Sequence, residues 1–170
     1  SELIILPVPW EVTVSYGSGA AKGPQAVFDA SFQVDLLHQE FPDLWKLGIF
    51  MDTPPNDWQN KSQQLKELAN SIIEALEKGE TVESNAQLSQ NLATINQASA
   101  QLNQEVAART EYWQKQGKRV ILLGGDHSTP LGYYQALAQQ YQDFGILHLD
   151  AHMDLRKAYE GFDHSHASIM

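Results

Sequence analysis

The sequence predicts an α/β fold in which a mainly parallel sheet is covered by helices on both sides. Three observations carry that expectation. An N-terminal run, Leu3 to Val8, is apolar and β-branched without interruption, the pattern of a strand buried on both faces. Further short apolar runs alternate with longer stretches of 3.6-residue periodicity, which implies strand–helix–strand crossovers. The later apolar runs end in polar, glycine-containing turns, the places where α/β folds build their sites.

Pro9 closes the first strand, and the glycine-rich turn Gly17 to Pro24 leads into a short helix from about Gln25. That turn has no dinucleotide-binding fingerprint and reads as a plain connection. Trp45 to Met51 is expected to form a second strand, followed by a loop, Asp52 to Asp57, rich in Pro and Asp. Leu65, Leu68, Ile72, Ile73 and Leu76 form a helical stripe that Gly79 closes. Leu88, Leu92, Ile95, Ser99, Leu102 and Val106 form another, ending before Gly117. Its Gln- and Asn-rich flank is too short for sustained heptads and suits one amphipathic helix lying on a sheet. Arg119 to Leu123 is the next strand, Thr129-Pro130 opens a helix that continues through Tyr141, and Phe144 to Asp150 is expected as a further strand.

With 170 residues, 42% of them hydrophobic, the chain is expected to form a single domain. A net charge of −10 argues against nucleic acid as a partner. No apolar run reaches the roughly 20 residues of a membrane span; a cytoplasmic protein with no membrane partner is expected. There is no cysteine, so any metal must be held by oxygen and nitrogen donors.

The strand expected at Leu147 to Asp150 runs into Asp150-Ala151-His152-Met153-Asp154. If the chain stays extended, Asp150, His152 and Asp154 share one face and converge. Two carboxylates and an imidazole suit a divalent ion such as Mn²⁺. Gly124 and Gly125 allow a sharp turn that brings His127 to the same point. Asp150 can bridge two ions, with His127 and Asp154 on one and His152 on the other, and a bridging water then loses a proton near neutral pH. His148 shares the face but lies deeper, and is assigned to the core or the outer shell. Asp126 is expected to orient His127 or its turn. A histidine from the following loop, His164 or His166, can shuttle protons; spacing favours His166 only slightly.

Gly-Gly-Asp-His-Ser (124–128), Asp-Ala-His-Met-Asp (150–154) and Ser-His-Ala-Ser (165–168) together resemble the ureohydrolase family of arginase, agmatinase and guanidino-acid hydrolases. Asp154-Leu155-Arg156, Tyr159-Glu160-Gly161 and the segment from Pro7-Val8-Pro9 to Gly23-Pro24 are most similar to the agmatinase branch. The resemblance implies an arginase-like three-layer α/β/α fold and two Mn²⁺ ions. It implies His127, Asp150, His152 and Asp154 as ligands, with Asp150 bridging, and His166 in proton transfer. The substrate would be a guanidino compound cleaved to urea and an amine, putrescine if the substrate is agmatine, which places the activity in polyamine biosynthesis. Homo-oligomers, trimers or hexamers, are also implied.

The family's later Asp-x-Asp ligand pair has no counterpart before Met170, and Asp163 lies ahead of the next expected strand. The chain is therefore expected to be the N-terminal part of a longer domain, incomplete at its C-terminus. Other readings are an arginase or guanidino-acid hydrolase, with Arg156 facing a substrate carboxylate; a truncated, non-catalytic metal-binding or assembly module; and a single-metal deacylase.

Overall fold

In the computed structural model, residues 1–15, 17–53 and 57–170 are described. Strand β1 (Leu3–Val8) forms the middle of a three-stranded parallel sheet, with β2 (Ile49–Met51) on one side and β3 (Arg119–Gly124) on the other. Leu3 pairs with Ile49 and Arg119, and Val8 pairs with Gly124. The α/β class is as expected.

The helices are α1 (Gly23–Ser31), α2 (Trp58–Glu77), α3 (Ala86–Gln114) and α4 (Leu131–Gln140). Asp57 caps α2 by accepting from the Asn60 N–H, and Asn85 caps α3 by accepting from Gln87 and Leu88. Beyond α2, Gly79 takes a left-handed φ of 79°. α2 and α3 run antiparallel, tied by Trp58 Nε1 to Glu105 at one end and Asn91 Nδ2 to Ser71 at the other. Their apolar stripes cover one face of the sheet, where Leu6, Val8 and Val120 meet Leu65, Ile72, Ile95, Leu102 and Val106. α4 packs on α3 so closely that a Cβ on Gly132 would lie 2.2 Å from the Asn103 carbonyl oxygen.

Two local expectations are corrected. Strand β2 is shorter than Trp45–Met51: Leu44–Leu47 is a 3₁₀ turn, and Gly48, with φ 63°, redirects the chain into the strand. Phe144–Asp150 makes no strand pairing at all. A parallel strand is stabilised by cover on both faces, and the sheet face opposite α2 and α3 is covered only in part: Pro7 is buried, but Ile121 is 49% exposed. Leu147 and Leu149 accordingly face solvent at 85% and 86%. In the loop expected at Asp52–Asp57, residues 54–56 lie outside the described residues.

Candidate metal centre

The turn after β3 is fastened to the continuation of β1: the Gly125 N–H donates to the Val8 carbonyl at 3.2 Å and the Asp126 N–H to that of Trp10 at 2.7 Å. Neither Gly124 nor Gly125 has a positive φ; a lack of space, and not a special conformation, calls for glycine there. A Cβ on Gly125 would lie 2.0 Å from the Trp10 oxygen, and one on Gly124 would lie 2.4 Å from Thr129 Oγ1. Asp126 is buried and shapes the turn itself, its Oδ1 accepting from the Ser128 N–H at 2.8 Å and the Ser128 hydroxyl at 2.5 Å. Burial pushes its carboxyl above the ordinary range, against the bonds from Ser128.

That turn delivers His127, whose Nδ1 lies 2.6 Å from Asp154 Oδ2 and 3.5 Å from Asp150 Oδ2. His148 adds its Nε2 at 3.6 Å from Asp150 Oδ2 and 3.9 Å from Asp154 Oδ2, its ring tilted against that of His127 at 5.1 Å. One donor atom from each of His127, His148, Asp150 and Asp154 lies within 4.8 Å of the others. Two imidazoles and two carboxylates fit a divalent ion of the Mn²⁺ type.

His152 stands outside this group. The stretch expected to stay extended bends, because the His152 N–H folds back onto Asp150 Oδ1 at 2.9 Å and Asp154 takes a left-handed φ of 50°. The His152 ring, 82% exposed, reaches the other oxygen of Asp150, Nδ1 to Oδ1, at 3.5 Å. Asp150 thus shows Oδ2 to His127 and His148, and Oδ1 to His152. Its carboxyl is held below the usual value first by the bond from the His152 N–H and then, against a cost of desolvation, by the three imidazoles. His148 was readable in principle: at two residues before Asp150 it belongs to the same alternation, and only its apparent depth sets it aside.

His166 lies across from the start of the chain. Its N–H donates to Thr13 Oγ1 at 3.2 Å, its Nε2 is 3.5 Å from Ser15 Oγ, and its ring meets Tyr159 edge-on at 5.8 Å. Arg156 lies with its guanidinium over the Tyr159 ring at 4.7 Å, and its N–H donates to Ala167. Asp154, Ala158 and Glu160 are the described non-glycine residues with positive φ, so backbone strain concentrates in the segment that links the acidic group to His166.

The model of the arginase family matches residues 1–170. The chain belongs to the arginase family. Within it, the chain is 27% identical over 171 residues to an N(1)-aminopropylagmatine ureohydrolase from Synechocystis and 31% identical over 174 residues to one from Thermus thermophilus, in each case over 99% of this chain and 45% of the relative. An agmatinase from Bacillus anthracis is 26% identical over 99% of the chain and 46% of its own length. The arginase-family chain therefore spans about half the length of the curated relatives it matches. The crystal structure of a proposed agmatinase from Clostridium difficile superposes with a TM-score of 0.65 at 18% identity, covering 99% of this chain and 48% of that one; this likeness shows the arginase-like fold. Among the described residues no helix is long and apolar enough to cross a membrane.

Proposed function

We propose that this chain carries part of the catalytic centre of a manganese-dependent ureohydrolase that cleaves a guanidino compound to urea and an amine. The observation that carries the reading is Asp150, whose two oxygens face different imidazoles, the arrangement a bridging carboxylate requires. His127, Asp150 and Asp154 would hold one ion, and Asp150 with His152 a second, whose remaining ligands come from elsewhere in the protein. Ions bound there supply a hydroxide nucleophile at neutral pH.

The chain's own residues have the remaining work. Asp154 Oδ2 lies 2.6 Å from His127 Nδ1, so the two donor atoms already face one point, and His148 backs the His127 ring. His166, oriented by Thr13 and Ser15, delivers a proton to the departing amine nitrogen. Arg156 and Tyr159 line the approach beside it. Agmatine is the substrate of first choice: the relatives named above are called aminopropylagmatine ureohydrolase or agmatinase, and an acidic chain suits a cationic tail. Arginase or guanidino-acid activity, with Arg156 reading a carboxylate, is the alternative within the same chemistry.

The compact donor group favours a second reading, a single-ion centre of His127, His148, Asp150 and Asp154, which would serve a non-catalytic module. Metal content after Mn²⁺ reconstitution, with urea release from agmatine, N(1)-aminopropylagmatine, arginine and guanidinobutyrate, decides between them. Two ions and urea support the hydrolase; one ion without urea from any of the four selects the single-ion module.

A further inference from the structure

A buried acid 55 positions from its counter-ion lies outside the metal centre. Glu11 follows β1, and its N–H donates to Ser62 Oγ at 2.9 Å. Its Oε2 accepts from the N–H groups of Gly19 at 2.8 Å and Ala21 at 2.9 Å, while its Oε1 accepts from Lys66 Nζ at 2.8 Å. Lys66 also donates to Ser18 Oγ at 2.9 Å. Ser62 and Lys66 are one turn apart on α2, so a single helix face grips Glu11 by its backbone and its carboxylate. Both charged side chains are almost enclosed, at 13% and 12% exposure. Burial works against the charge, and the bonds from Lys66, Ala21 and Gly19 outweigh it and keep the carboxyl below its ordinary range.

The loop it holds is built for this. Gly17 and Gly19 have φ of 61° and 129°, and a Cβ on either would meet nothing within 4 Å. Backbone conformation, not space, is what demands glycine at both. The left-handed turns point two N–H groups at one carboxylate, as anion-binding loops do. Here the anion is the chain's own. The segment leaving Glu11 supplies the hydroxyls of Thr13 and Ser15 that contact His166.

We infer that Glu11 is a positioning residue for His166: by clamping the 17–21 loop to α2 it fixes the Thr13–Ser15 segment against which His166 is set. The inference rests on the role proposed for His166. Its first readout does not.

In the metal-loaded protein, Glu11→Ala should speed amide exchange at Gly19, Ala21 and His166 by about 10-fold or more, since each buried bond lost leaves an unmatched group. The turnover number for urea release should fall about 10- to 100-fold, as displacement of a reacting group by an ångström does, with KM within about threefold and the pH profile of turnover displaced. Glu11→Gln keeps an acceptor and should lose less. Lys66→Met alone strands a buried charge, and adding Glu11→Gln to it should recover most of the loss. Unchanged exchange at His166 in Glu11→Ala, or in Glu11→Gln should the alanine variant not fold, would overturn the inference. So would a turnover number that falls only with the folded fraction. A wild-type protein that releases no urea would sink the proposed function and leave the His166 exchange result to judge the clamp.

Discussion

His127 Nδ1 and Asp154 Oδ2, 27 residues apart in the chain, lie 2.6 Å from each other. This contact joins the turn after β3 to the bend that follows Asp150, two segments with no strand pairing between them. His127 and Asp154 are therefore set against each other before any ion arrives, and the loss of either should loosen the position of the other.

The metal assignment predicts a graded series. Asp150→Asn removes the shared carboxylate and should leave the protein essentially metal-free. His152→Asn should lower the stoichiometry by one ion while the His127 side stays filled, and His148→Asn should leave the stoichiometry unchanged. Elemental analysis after dialysis checks all three. If His148→Asn loses as much metal as Asp150→Asn, the single-ion centre is the correct one.

His166→Asn should leave metal content at the wild-type level and reduce the turnover number about 10²- to 10⁴-fold, the range a positioned proton donor contributes. Steady-state urea release with metal analysis on the same sample is the measurement. A metal-replete variant with wild-type turnover would remove His166 from the reaction.

Gly125→Ala places a methyl group into the backbone of Trp10 and Val8. The turn that carries His127 must then move away from β1, with a loss of about 1–3 kcal/mol for overpacking and weaker metal binding. Thermal unfolding with and without Mn²⁺ should show the difference between the two forms shrinking relative to wild type.

At the opposite edge of the sheet, just past β2, Asp52 lies between Arg109, at 2.5 and 2.6 Å, and Trp113 Nε1, at 2.9 Å. Burial opposes its ionisation, but the bonds from Arg109 and Trp113 prevail and lower its pKa from 3.8. A carboxylate with a depressed folded pKa stabilises the protein above its unfolded value, and that stability disappears as the pH falls through the folded one. Denaturant midpoints should therefore hold steady down to about pH 4 and drop below it. Arg109→Met should cost about 3 kcal/mol at neutral pH and flatten the acid limb.

How much of this was legible in the sequence depended on range. Helices α2 and α3 were readable because each buries one stripe, and Leu65 to Leu76 and Leu88 to Val106 mark those stripes. β1 was readable as an unbroken apolar run. Leu147 and Leu149 carry the same local signal as β1 but have no fully covered face to enter, and sequence shows apolarity without showing cover. At the centre, His127, Asp150 and Asp154 were found from turn and spacing, and the structure brings them together. The bend at Asp150 that turns His152 outward depends on one hydrogen bond that an alternation rule cannot contain. The pairs Glu11–Lys66 and Asp52–Arg109 lie 55 and 57 residues apart, and nothing local announces either.

Asn96, on α3, holds the loop before His166 from both sides, donating to the Gly161 carbonyl and accepting from the Asp163 N–H, each at 3.1 Å. Those contacts close 65 and 67 residues of chain, and the meeting of His166 with Thr13 closes 153. The α2–α3 hairpin closes shorter loops, 20 residues between Ser71 and Asn91 and 47 between Trp58 and Glu105, and contacts of low sequence separation form first because they cost less chain entropy. During refolding, tryptophan burial at Trp58 should therefore run ahead of the docking of the His166 loop. A protein interrupted midway would have its helical layer in place and its chemistry still unassembled.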